Sequence, residues 1–118
     1  MAATSVVNTS LKFNKAETMP AAVAINATDG ALVDYSNKED ARILLILENA
    51  TAAENTVTIK AGDSIQGISD LTVTLASSET KVITVESGKY MNVSGQNRGC
   101  ILITGNNANI KVAAIELP

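Results

Sequence analysis

Residues 55–61 read Asn-Thr-Val-Thr-Ile-Lys-Ala, with Val57 and Ile59 on one face and Thr56, Thr58 and Lys60 on the other. Residues 71–76 repeat the pattern, setting Leu71, Val73 and Leu75 against Thr72 and Thr74. A strict two-residue period is the signature of a half-buried strand, because successive side chains point to opposite faces of a sheet. β-Branched residues suit that pleated surface and are mildly disfavoured in helices. Residues 81–87 continue the pattern with Ile83 and Val85 inside, and the polar Ser77-Ser78-Glu79-Thr80 stretch reads as a hairpin connection.

Two runs do not alternate. Residues 42–48 are apolar on both faces between Arg42 and Glu48, and 100–104 (Cys-Ile-Leu-Ile-Thr) are similar. Short runs of this kind predict central strands covered on both sides. The last strand, 109–117, places Ile110, Val112 and Ala114 on one face and Ile115 and Leu117 on the other, which predicts a bulge or a covered terminus. Weaker strands are expected at 22–26 and 89–93. Ser36-Asn37-Lys38-Glu39 has the form of a capping box for a single helical turn. Polar loops follow at 62–70, carrying Ile65 and Ile68, and at 94–99. Seven or eight short strands with turn signals every 8–12 residues predict an all-β fold, an antiparallel β-sandwich of jelly-roll type.

The domain is expected at residues 21–118. Residues 1–20 stand apart as a Ser-, Thr- and Asn-rich segment ending at Pro20. They read as an N-terminal arm that docks on a partner, or equally as an edge strand of the same sandwich. In the first case Val6, Val7, Leu11 and Phe13 are the anchors. Ile115 and Leu117, at the apolar and weakly charged end of the last strand, are the further candidate contacts. An unguarded edge strand there predicts self-association, as a trimer.

Composition narrows the chemistry. With 118 residues the chain is one domain, large enough for a core without disulfides. The net charge is −3 and the basic residues are scattered, so phosphate or anionic-membrane binding is not expected. Charged residues make up 18%, below the usual quarter, which predicts that a partner covers part of the surface. Histidine is absent and cysteine occurs once, at Cys100, so Ser-His or Cys-His catalysis and a zinc site lack their ligands. Carboxylates that could pair for glycoside hydrolysis, such as Glu48, Asp63, Asp70 and Glu86, lie mostly at strand ends and read as solvated turn residues, and the acidic stretch from Asp29 to Asp40 matches no calcium loop. The expectation is a non-enzyme with no cofactor and no metal. The start, Met1 to Ser5, has no basic or apolar signal region, which predicts synthesis and folding in a cytoplasm.

Several phrases point to a family. They are Val-Thr-Ile-Lys-Ala-Gly at 57–62, Ile-Gln-Gly at 65–67, Asp70-Leu71-Thr72-Val73 and Val85-Glu86-Ser87-Gly88-Lys89-Tyr90. Ile103-Thr104-Gly105 and the tail from Ile110 to Pro118 complete the set. Over residues 42–118 the chain resembles small all-β head decoration and capsid-stabilising proteins of tailed bacteriophages, of the Gram-positive prophage type. The resemblance implies a structural virion protein, made in the host bacterial cytoplasm, that binds the major capsid protein on the outer surface of the particle. The alternative expectation is a tail, baseplate or fibre-associated binding module contacting other virion proteins or the host surface.

Overall fold

The computed structural model describes residues 3–6, 8–26, 28–36 and 39–118. Among the described residues ten strands are divided between two packed sheets: β1 (Thr4–Val6), β2 (Asn8–Ser10), β3 (Val23–Ala24), β4 (Ala31–Asp34), β5 (Ile43–Asn49), β6 (Asn55–Ile59), β7 (Leu71–Leu75), β8 (Thr80–Ile83), β9 (Cys100–Gly105) and β10 (Ile110–Glu116). One sheet has the order β3-β10-β5-β8 and the other β4-β9-β6-β7. Every pairing among these eight strands is antiparallel. This interleaved order is that of a jelly roll, as the strand count and turn spacing predict.

The first two strands lie outside that pattern. β1 runs parallel to β4, with Thr4 beside Ala31 and Val6 beside Val33. β2 runs parallel to β10, with Asn8 beside Ala114 and Ser10 beside Glu116. The N-terminal segment therefore adds one strand to each sheet and closes one side of the sandwich. Both sheets are mixed for this reason alone.

The core follows the alternation. Val57 and Ile59 of β6, Ile101 and Ile103 of β9, Leu45 and Leu47 of β5, and Val112 and Ala114 of β10 are all fully buried. Burying each aliphatic side chain contributes about 1.5–3 kcal/mol. β5 is covered on its outer face as well: Ile46 and its cross-strand neighbour Ala113 are buried there. Tyr35, at the end of β4, is the largest fully buried side chain.

Four local expectations are corrected. β7 and β8 are not a hairpin, because β7 pairs with β6 in one sheet and β8 with β5 in the other. The Ser77–Glu79 turn instead crosses between sheets, with Ser78 at φ 58° and its N–H donating to the Thr51 carbonyl. β10 has no bulge against β5, since the register runs unbroken from Ile110 opposite Asn49 to Glu116 opposite Ile43. Nor is it an edge: β2 and β3 together line its other side. Residues 89–93 are not a strand. Ser87–Tyr90 form a single helical turn, α1, because the Asp40 carboxylate accepts from both the Ser87 N–H and hydroxyl at 2.8 and 3.2 Å. The capping box falls partly outside the described residues, at Asn37 and Lys38. The Ser36 hydroxyl bonds Asp34 Oδ1 at 2.6 Å, and a 3-10 turn begins only at Asp40.

Candidate functional site

The jelly-roll order sends alternate connections to opposite ends of the sandwich, and the two ends are built differently. At one end lie residues 25–26 and 28–30 and the short turns 50–54, 76–79 and 106–109. Its hub is Asn49, only 1% exposed, at the end of β5. The Asn49 Nδ2 group donates to the carbonyls of Ala53, Ala76 and Leu75 at 2.8, 3.0 and 3.3 Å. Its Oδ1 accepts from the Thr51 N–H and hydroxyl and from Asn55 Nδ2. A buried amide is tolerated only when its hydrogen bonds are met, and here one side chain ties together two turns from different sheets.

At the other end lie residues 35–36 and 39–42, the long connections 60–70 and 84–99, the residues that follow β2, and the C-terminal end of β10. Carboxylates pin these loops to one another. Asp63 Oδ1 accepts the Val93 N–H and Oδ2 the Ser94 hydroxyl, each at 2.7 Å. These bonds, the Ser94 hydroxyl first, hold the Asp63 carboxyl below the ordinary carboxylate range. Asp70 Oδ1 accepts the Ala61 N–H at 2.7 Å and Oδ2 the Lys60 ammonium at 2.9 Å, which lowers its pKa in the same way. The Ser64 hydroxyl and Gly62 N–H donate to the Gly88 and Lys89 carbonyls. Gly62 is required where it stands, because a Cβ there would overlap the Met91 carbonyl.

Apolar side chains project from this tied framework. Among the described residues seven large hydrophobic side chains are exposed. Ile65, Ile68 and Val93 stand on the tied loops, and Phe13 and Leu117 lie just beyond the ends of β2 and β10 at the same end. Ile65 is 99% exposed and Ile68 86%, on a loop whose backbone is held by the bonds just described. Ile65 and Val93 flank an open depression of about 540 Å³ with Asp63 and Ser64 at its side. Apolar groups held exposed on a prearranged loop lose little entropy on docking.

The sequence-derived contact residues divide. Val6 is part of the sandwich's own core at 7% exposure. Val7 lies outside the described residues. Leu11 is half-buried, its N–H donating to the Glu116 carbonyl, which brings it beside the end of β10. Phe13 is 80% exposed, Ile115 is half-buried on the outer face opposite Leu44, and Leu117 is exposed with its N–H on the Arg42 carbonyl. Leu11, Phe13 and Leu117 thus fall at the loop-rich end. Sequence reasoning placed Ile65 and Ile68 in a loop without giving them a role; the available signal was two isoleucines inside a Gly-, Asp- and Ser-rich stretch, where nothing local can bury them.

Chemistry that would compete with a contact role has little material. Among the described residues no three His, Cys, Asp or Glu side chains converge as metal ligands. Burial, and then the charge of Asp34, push the Cys100 thiol above its ordinary pKa, which disfavours a thiolate. Comparison with protein-family models, curated proteins and solved structures finds no match to the chain.

Proposed function

We propose that this chain is a non-enzymatic structural protein of a bacteriophage particle that binds the outer surface of the capsid through the loop-rich end of its jelly roll. The observation that carries the reading is the exposure of Ile65, Ile68 and Val93 on loops pinned by carboxylates, with Phe13 and Leu117 exposed just beyond the ends of β2 and β10. Such a surface fits a protein partner. The choice of a capsid rests on the resemblance of residues 42–118 to head decoration proteins. The jelly roll is compatible with that choice, being a frequent capsid architecture, though fold alone does not set function.

Cosedimentation with heads lacking the chain tests the proposal. The parent protein is expected to saturate the heads. The double variant Ile65→Ser/Ile68→Ser is expected to bind roughly a hundredfold more weakly, the loss anticipated when two aliphatic anchors no longer enter a dry contact. Binding to purified tails or host cell wall, with none to heads, would replace the capsid by the tail-associated reading.

A further inference from the structure

The two sides of the sandwich are as unlike as its two ends. On one side β1 and β2 close both sheets. On the other, β7 is the last strand of its sheet, and among the described residues no strand pairs with its free side. An open edge is normally blunted by charge, proline or a bulge. β7 reads Leu-Thr-Val-Thr-Leu and has none of these, and its register against β6 is unbroken from Leu71 to Leu75. The guard visible at this edge is Lys81 of β8, whose ammonium reaches the Thr74 carbonyl at 2.8 Å. That contact also fixes the phase of the strand: the main-chain groups of Thr74, and of Thr72 two residues before, point away from β6.

We infer that two copies of this chain pair edge to edge through β7, antiparallel, about a twofold axis at Val73. The strand's sequence is a palindrome, so in that register Leu71 meets Leu75, Thr72 meets Thr74 and Val73 meets itself. An isologous contact requires this self-complementarity. The molecule already contains the same pairing once. β6 reads Asn-Thr-Val-Thr-Ile, and it sets Thr56 opposite Thr74, Val57 opposite Val73 and Thr58 opposite Thr72. A second copy of β7 repeats that residue pairing on the free side, with the hydrogen-bonded and non-hydrogen-bonded positions exchanged. The outward N–H and C=O groups of Thr72 and Thr74 form four hydrogen bonds across the axis, with Lys81 displaced from the Thr74 carbonyl. Two five-stranded sheets join into one of ten strands. Leu71 and Val73, half-buried at the open rim of the core, gain cover in the same step. This edge takes over the self-association that the sequence assigned to β10. The pairing is independent of the capsid reading.

Sedimentation of the purified full chain over a range of concentrations tests the inference, with two variants. Thr72→Pro deletes the outward N–H without touching a bond to β6, since proline is tolerated where the donor faces solvent. The parent is expected to dimerise, and Thr72→Pro to weaken the dimer roughly thirtyfold while keeping its β-sheet circular dichroism. Val73→Cys in a Cys100→Ser background reads the axis directly, because opposed Cβ atoms in such a pair lie about 4.5–5.5 Å apart. Oxidation is expected to give a disulfide-linked dimer. If Thr72→Pro fails to fold, this cross-link decides. A parent that stays monomeric at high concentration, a dimer indifferent to Thr72→Pro, or absence of the Val73→Cys cross-link overturns the inference.

Discussion

The short-turn end and the loop-rich end of this sandwich use polar groups for different purposes. Around Asn49 the hydrogen bonds are buried, neutral and directed inward, and they join the two sheets. Around Asp63 and Asp70 they are exposed and ionic, and they hold up loops that carry apolar side chains into solvent. A buried neutral network serves stability, because any member left unpaired carries a desolvation cost. An exposed ionic network contributes little to global stability but can fix the shape of a surface. The buried network thus serves stability at one end, and the proposed recognition surface lies at the other.

The largest expected effect comes from the stable end. Asn49→Ala removes a hub that serves Ala53, Leu75, Ala76, Thr51 and Asn55, and should cost about 3–5 kcal/mol. Thermal denaturation should show a fall of roughly 10 °C or more. If the variant melts close to the parent, the contrast between the ends is wrong.

Gly62→Ala should come next, at about 2 kcal/mol, because its Cβ must displace the Met91 carbonyl and with it the link between two loops. Its signature is disproportion: binding to heads should suffer more than the melting temperature does. Equal insult to both would make Gly62 a stability residue only.

Acid should loosen the loop-rich end selectively. The folded pKa values of Asp63 and Asp70 lie below the ordinary range, so their support is complete above it and is lost as pH falls below about 4. The Val93 and Ala61 amide resonances, whose N–H groups donate to these carboxylates, should titrate there. The Thr51 amide, bonded to the Asn49 side chain, should not. Flat Val93 and Ala61 curves would remove the carboxylates from the account.

Ile65→Ser with Ile68→Ser should affect stability least, within about 0.5 kcal/mol, since both side chains already stand in water. A larger loss by chemical denaturation would mean that these side chains pack in solution and are not presented.

Much of the fold could be read from the chain. The alternation at 55–61 and 71–76 and the apolar runs at 42–48 and 100–104 became β6, β7, β5 and β9, and the last two are interior strands. Those patterns are local and survive any strand order. What depends on strand order was misread. The turn at Ser77–Glu79 looks like a hairpin because a tight turn has the same residues whether it joins neighbours or crosses between sheets. β10 looked like an edge because nothing local in residues 8–10 and 23–24, which cover it, says which strand they pair with. The α1 turn depends on Asp40, 47 residues from Ser87. The exposed apolar residues were half visible: Phe13 and Leu117 were singled out, Ile65 and Ile68 were not, because strand order decides which loops share an end.

Cryo-electron microscopy of an intact particle tests the central claim most directly, because it orients the sandwich as well as locating it. The account predicts the chain on the outer surface of the head, with Ile65, Ile68 and Phe13 buried against the shell and the Asn49 turns facing solvent. A chain seated with its Asn49 end on the shell, or absent from the head, would contradict it.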